Sequence, residues 1–186
     1  VTFNYDSALG SVTVDGTAVA AGGTTEIAIA GATLVATPVS GASFLGWTNT
    51  DGSIISKDAS YTLVPANDMT VNAIFVNSAS IPYFYANGGT HLIGGLAEAA
   101  SFASTASTKV ISLANNATLA AGNYTIPAGV ILHIPFDTAN TVYTTSPGAN
   151  EITSGSSNEV PETPYAFRQL SLASGANITG NGSISL

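Results

Sequence analysis

The stretch NYTIPAGVILHIPF (residues 123–136) contains little that could perform chemistry, but its pattern occurs three times in the chain. The segments ISLANNATL from Ile111, YTIPAGVIL from Tyr124 and LSLASGANI from Leu170 share it. In each, apolar and polar residues alternate, a Gly or Asn follows, and the segment closes on an apolar residue. Alternation with a period of two predicts β-strands with one buried face.

The repeats predict short strands that stack on one another around a shared interior. A single repeat cannot bury its apolar face alone, so neighbouring copies must supply the core, as in a β-solenoid. Gly129, Gly175 and Asn116 occupy the corners, where we expect a positive φ. The opposite face carries polar residues such as Ser112 and His133. The predicted inward-facing residues are Ile111, Leu113, Ala117, Leu119, Tyr124, Ile126, Val130, Leu132, Ile134, Leu170, Leu172, Ala176, Ile178, Ile184 and Leu186.

Residues 1–76 contain short alternating runs separated by turns, and no window has helical periodicity. SVTV and TAVA flank Asp15-Gly16, which predicts a tight hairpin with positive φ at both residues. The pattern predicts a small antiparallel β domain. Its core candidates are Val12, Val14, Ile27, Ile29, Leu34, Phe44, Trp47, Tyr61, Leu63, Val71, Ile74 and Phe75.

The motifs GSVTV, FLGW, DGSIIS, ASYT and AIF follow one another over about seventy residues. In this order they resemble the divergent internalin-type B-repeat module of bacterial surface proteins. The resemblance implies a compact β-grasp-like unit used in extracellular stalks, and the family has no catalytic residues to carry over. Trp47 is expected to anchor the core, since large aromatic side chains in small domains are usually buried. A sugar-stacking role for Trp47 is the alternative.

LIGGLAEAASFA (residues 92–103) has the spacing of a helix, with Leu92, Leu96, Ala99 and Ala100 recurring every three or four residues. Thr90 is the expected N-cap, although Gly94-Gly95 weakens the first turn and would allow a later start. This helix and the repeats after it resemble the start of right-handed parallel β-helix domains in surface adhesins and pectin-lyase-like proteins. The resemblance implies an architecture in which the helix caps the core, and it leaves the function open.

The expected fold class is mainly all-β. A small antiparallel β-grasp-like domain over residues 1–77 and a junction over 78–90 precede a helix-capped right-handed parallel β-helix fragment over 91–186. A long loop at 137–167 interrupts the fragment.

Two segments contain the candidate binding residues. The junction aromatics Tyr83, Phe84 and Tyr85 could contact a ligand, but packing between the halves is the favoured interpretation. The loop is unusually long, and such loops often carry function, although most loops only connect elements. Its candidate residues are Tyr143, Glu151, Glu159, Glu162 and Tyr165.

Composition limits the possible partners. The 186 residues include 3 Lys+Arg against 11 Asp+Glu, for a net charge of -8. This charge argues against nucleic acid and against an anionic membrane surface. No apolar run approaches the roughly 18–20 residues that would cross a bilayer, and there is no cysteine. A surface rich in Ser, Thr, Asn and Gly fits an exported protein.

We find no convergent set of acid, base and metal ligands, and therefore predict no catalytic residue, metal site or cofactor. Asp137 with Arg168 is the nearest approach to a catalytic pair. NTDGS (residues 49–53) begins like a calcium loop but lacks the downstream Glu, so a hairpin turn explains it.

These observations predict a non-enzymatic segment of a secreted or cell-surface adhesin-like bacterial protein, which serves as stalk and display scaffold for a host glycan or host protein. One alternative is the beginning of a β-helix polysaccharide lyase or hydrolase whose active site lies beyond residue 186. Another is a binder of a host glycoprotein or immunoglobulin. Both termini interrupt an alternating pattern, so we expect a piece of a longer chain. The uncharged final strand SISL should self-associate.

Overall fold

The computed structural model describes residues 1–137 and 166–185. Within these ranges the chain is mainly β, which confirms the predicted all-β class. Contacts divide it into two compact units. The first contains residues 1–79 and Thr90–Leu92, and the second contains Ser80–Gly89 and the chain from Ile93 onward.

The first unit consists of two four-stranded sheets, with strand orders β1-β8-β5-β6 and β3-β2-β4-β7. Its strands are β1 (Thr2–Asn4), β2 (Gly10–Val14), β3 (Thr17–Val19), β4 (Ala32–Pro38), β5 (Ser43–Thr48), β6 (Ile54–Ser56), β7 (Ser60–Leu63) and β8 (Thr70–Val76).

Pairing in the first unit is antiparallel with one exception. Asp15 and Gly16 have φ of 48° and 79°, so the predicted tight hairpin between β2 and β3 is confirmed. The predicted antiparallel pairing holds for the other strands of this domain, whereas β1 and β8 pair in parallel, with Phe3 opposite Val71. Local alternation predicts strands but does not determine the direction in which two distant strands pair.

The interior of the first unit is a single apolar cluster around Trp47. Most of the predicted core residues belong to it or pack against it. Ile29 does not, because it lies in the turn that closes at Gly31 and is 91% exposed. Ile74 is also outside the cluster: it is half-buried, while its neighbours Ala73 and Phe75 are buried, and the pairing of β8 with β5 shifts register between Phe44 and Gly46.

Thr90 and Leu92 lie beside the β5–β6 hairpin. The Ile54 N–H donates to the Thr90 carbonyl at 2.8 Å, and the Leu92 N–H donates to the Gly52 carbonyl at 2.8 Å. The sequence suggested Thr90 as the N-cap of the helix, and the structure shows that it is not. The helix starts at Leu96, after Gly95 with a φ of 87°. A pair of glycines costs roughly 1 kcal/mol each inside a helix, which explains the later start.

The second unit contains one helix and the remaining described strands, except that His91 and Leu92 of β10 are grouped with the first unit. Five of these strands form a sheet with the order β10-β9-β11-β14-β19. The elements are β9 (Tyr83–Ala86), β10 (His91–Gly94), α1 (Leu96–Thr105), β11 (Val110–Leu113), β12 (Ala117–Leu119), β13 (Gly122–Ile126), β14 (Ile131–His133), β15 (Phe136–Asp137), β16 (Ala166–Phe167), β17 (Leu170–Leu172), β18 (Ala176–Gly180) and β19 (Ser183–Ser185).

Successive repeats pair in parallel along three ladders. Strand β11 pairs with β14 and β14 with β19, while β12 pairs with β17 and β13 with β18. The strands therefore recur in the order that stacked repeats require. Among the corner residues, Gly129 and Gly175 have φ of 78° and 82° as predicted, whereas Asn116 does not have a positive φ.

The interior of the second unit is lined by the predicted inward-facing residues of the first repeats, including Ile111, Leu113 and Leu132. Leu96, Ala99, Ala100 and Ala103 form the buried stripe of α1 in the same cluster. The small side chains let the helix lie close to β9, β11 and β13. Residues of the later repeats pack less completely, and Ile184 is 42% exposed.

Candidate functional site

The outer face of the five-stranded sheet holds the best candidate site. Phe84 and Ala86 of β9 are fully buried, so alternation places Tyr83 and Tyr85 on the opposite side of the strand. Phe84 was a predicted binding residue, but its ring lies in the core and cannot reach a ligand. The three junction aromatics therefore divide into one core residue and two half-buried ones.

Strand register brings polar residues from distant parts of the chain into one row. Ser112 of β11 lies opposite Tyr85 on one side and opposite His133 of β14 on the other. His133 in turn lies opposite Ser185 of β19. We call Tyr85, Ser112, His133 and Ser185 the outer row. Adjacent strands are about 4.8 Å apart, so the row presents four polar groups at regular intervals.

Hydrogen bonding orients part of this row. His133 Nδ1 and Ser185 Oγ lie 3.0 Å apart, and the histidine tautomer decides which of them donates. The other ring nitrogen of His133 can donate or accept a hydrogen bond, depending on the tautomer, and the Ser112 hydroxyl can do both. All four residues of the row are half-buried, which places them at the surface without full solvation.

Arg168 enters the same region from the segment after β16. Its backbone N–H donates to the Pro135 carbonyl at 3.1 Å, which holds the residue close to the end of β14. Burial raises the pKa of the Tyr85 phenol above its ordinary value of 10.0, and the positive charge of Arg168 acts in the opposite direction. The structure thus holds the backbone of Arg168 beside the strand that carries His133.

Tyr83 has a more structural position. Its N–H donates to Asn115 Oδ1 at 2.7 Å, and its ring lies so close to Gly94 that a Cβ there would approach it to 3.0 Å. Burial raises the pKa of its phenol above the ordinary value of 10.0. Asn115 is only 6% exposed, and its Nδ2 donates to the carbonyls of Ile81 and Asn116.

The remaining predicted binding residues, Tyr143, Glu151, Glu159, Glu162 and Tyr165, lie outside the described residues. The sequence singled out neither His133 nor Arg168 as a binding residue. Alternation did place His133 on the outer face, and Arg168 is the only arginine of the chain. These two signals together could have indicated the site.

The first unit contains a polar groove of about 590 Å³. The Ser53 hydroxyl and N–H both donate to Asp51 Oδ1, at 2.6 and 2.9 Å, and these bonds lower the pKa of the Asp51 carboxyl. The turn at 49–53 is thus a hairpin with its carboxylate engaged internally. Among residues 1–137 and 166–185, no three His, Asp or Glu side chains are grouped to hold a metal ion. The groove is lined by Thr2, Asn49, Thr50, Asp51, Asp68, Met69 and Thr70.

Comparison with known proteins gives a family match within the first unit. Residues 2–79 match the family model of the divergent InlB B-repeat domain, which confirms the predicted B-repeat module. No curated protein matches the chain, and no solved structure matches it. The comparisons give no support to the resemblance of the second half to β-helix domains of adhesins. In the described ranges, no helix has the length and apolar character needed to cross a bilayer.

Proposed function

We propose that this chain is a non-enzymatic segment of a secreted or cell-surface adhesin-like bacterial protein. In this proposal the first unit is a stalk module, and the second is the beginning of a β-helix whose outer face binds a ligand. The observation that carries the proposal is the match of residues 2–79 to a bacterial surface-type repeat domain. InlB-like B-repeat domains typically occur in bacterial surface proteins.

The second unit supports the binding part of the proposal. Its parallel ladders are the pairing that a β-helix requires, and α1 contributes its apolar stripe to the core. A rigid sheet is a suitable platform for a binding site, because it holds side chains in a fixed register. The outer row combines an aromatic ring, hydroxyls and an imidazole beside a guanidinium, which are the groups that recognise hydroxyl-rich ligands.

A glycan array and a pull-down from host extracellular proteins test the binding role. The intact chain should retain a defined subset of glycans or one host glycoprotein. Tyr85→Ala should lose that retention, whereas Thr125→Ala, on the outward side of β13, should keep it. Equal retention by both variants would show that the outer row is not the site.

A turnover assay tests the non-enzymatic part. We expect no release of unsaturated or reducing ends from uronate or neutral polysaccharides, with or without calcium. Turnover that disappears on Arg168→Gln would contradict the proposal and favour an enzyme acting on polysaccharide.

A further inference from the structure

We propose that Arg168, with Tyr85 and His133, binds the carboxylate of an acidic sugar on the outer face of the five-stranded sheet. This inference rests on the binding role proposed for that face, and it adds the chemical class of the ligand. It is carried by two observations: the register that aligns Tyr85, Ser112 and His133, and the backbone hydrogen bond that holds Arg168 two residues beyond His133.

The charge inventory makes Arg168 distinctive. The chain carries 11 Asp+Glu and only 3 Lys+Arg, of which Lys57 and Lys109 are the other two. The Lys109 ammonium donates a hydrogen bond to the Ser104 carbonyl, in the last turn of α1, at 3.2 Å. A planar guanidinium can form two parallel hydrogen bonds to a carboxylate, which an ammonium cannot.

Three separate segments bring the proposed contacts together. Tyr85 comes from β9, His133 from β14, and Arg168 from the residues after β16. Ser112 lies opposite Tyr85 on one neighbouring strand and opposite His133 on the other. Pro135, two residues after His133 in the chain, accepts a hydrogen bond from the Arg168 backbone N–H. From this anchor the long side chain of Arg168 can extend to a ligand that also contacts the Tyr85 phenol and the His133 imidazole, with Ser112 between those two residues.

The sheet favours a glycan over an acidic peptide. Strands β9, β11 and β14 each have a neighbour on both sides, so their backbone groups are already paired. A peptide could not add a strand at these positions, which is the usual way that an extended peptide gains affinity on a sheet. A ligand must instead bind through side chains that donate and accept, and sugar hydroxyls suit such groups.

The charge also favours a ligand with few anionic groups. A net charge of -8 repels a dense polyanion, and one guanidinium neutralises a single carboxylate. The predicted ligand is therefore an oligosaccharide with an isolated acidic sugar, such as a terminal sialic acid or a single uronic acid.

Isothermal titration of the intact chain with sialyllactose and with a glucuronic-acid disaccharide tests the inference. The methyl ester of each probe keeps the shape and removes the charge. We expect each acid to bind at least 10-fold more tightly than its ester, since hydrogen bonds to charged groups contribute most strongly. Arg168→Gln should abolish this difference and Arg168→Lys should restore part of it. Lys109→Gln, which removes the same charge from the same unit, should change nothing.

Several outcomes would overturn the inference. Equal binding of acid and ester would do so, as would unchanged binding by Arg168→Gln, or no binding of either acid at millimolar concentration. Tighter binding of a glutamate-rich peptide than of both sugars would replace the glycan with a peptide partner. If neutral glycans bind and Tyr85→Ala abolishes that binding, the proposed function stands and only the carboxylate inference fails.

Discussion

Trp47 illustrates how single residues determine the first unit. Its side chain has no exposed surface, its ring meets Phe44 edge-on with centroids 5.2 Å apart, and its Nε1 donates to the Asp58 carbonyl at 3.0 Å. A ring enclosed in this way cannot stack on a sugar, so the core role is the correct one of the two that the sequence allowed. Asn115 has the same character in the second unit, since its buried amide is hydrogen-bonded on both ends.

Replacing Trp47 should therefore unfold the first unit. Trp47→Ala leaves a large cavity and should cost about 3–5 kcal/mol, which is most of the stability of a small domain. Chemical denaturation followed by circular dichroism measures the loss. Ile29→Ala, at a residue 91% exposed, should leave stability within error. A Trp47→Ala variant with unchanged stability would show that the ring is not a core anchor.

Asp51 gives the first unit a local dependence on pH. The Ser53 hydroxyl and N–H hold the pKa of Asp51 below its usual 3.8. A carboxyl whose pKa is lower in the folded state stabilises that state above the unfolded pKa, and this contribution is lost as pH falls through the folded value. Stability should therefore decline below about pH 4 partly through this residue.

Carboxyl carbon chemical shifts across a pH titration measure the Asp51 pKa directly. Ser53→Ala should raise that pKa toward 3.8, whereas Ser11→Ala, on the distant strand β2, should leave it unchanged. An Asp51 pKa that is the same in all three proteins would show that Ser53 does not stabilise the carboxylate.

At the scale of elements, successive repeats lie so close together that they limit the size of the side chains in the turns. Gly182 precedes β19, and a Cβ there would lie 2.6 Å from the Val130 carbonyl oxygen and 2.8 Å from that of Pro127. These oxygens belong to the repeat below, so the backbone of the next repeat can stack only if the side chain is a hydrogen. The Ser183 N–H then donates to the Val130 carbonyl at 3.0 Å and begins the β14–β19 pairing.

A single methyl group should thus detach the last described strand. We expect Gly182→Ala to move β19 away from β14 and to accelerate amide exchange at Ser183 and Ser185 by at least 10-fold. Hydrogen exchange followed by mass spectrometry measures this. Asn181→Ala, at the exposed neighbouring residue, should leave the exchange unchanged. Intact protection in Gly182→Ala would mean that the repeats are not as closely stacked as described.

At the scale of the whole molecule, the strands of the later repeats present backbone N–H and C=O groups along one edge. Within the described residues, β19 is the last strand of its sheet, and β17 and β18 each have one partner. Leu170, Leu172 and Ile178 are only half-buried beside the exposed Ile184. An uncharged strand edge with apolar neighbours is a template for another strand.

We therefore expect two chains to associate through the edge formed by β17, β18 and β19. Sedimentation velocity over a concentration series should show reversible self-association. Ile184→Lys, which places a charge on the edge, should suppress it. Ile29→Lys, which adds the same charge at an exposed residue of the first unit, should not. A strict monomer at millimolar concentration, with slow amide exchange in β19, would contradict this expectation.

Much of the fold could be predicted from local pattern, but much of the site could not. Alternation identified the inward residues Ile111, Leu113 and Leu132 correctly, because burial of one strand face follows directly from period two. It also placed His133 on the polar face. It could not show that Phe84 rather than Tyr85 enters the core, since both are aromatic and the choice depends on which face of β9 packs against α1.

The sequence by itself determined the strands, the Asp15-Gly16 turn and the repeated inward face, because each depends on residues a few positions apart. Only the tertiary structure decided that β1 lies parallel to β8, that Asn115 rather than Asn116 is buried, and that the Arg168 backbone is held beside the end of β14. The physical reason is that these arrangements join residues far apart in the chain. Their register is selected by how whole strands pack, which no local pattern of apolar and polar residues specifies.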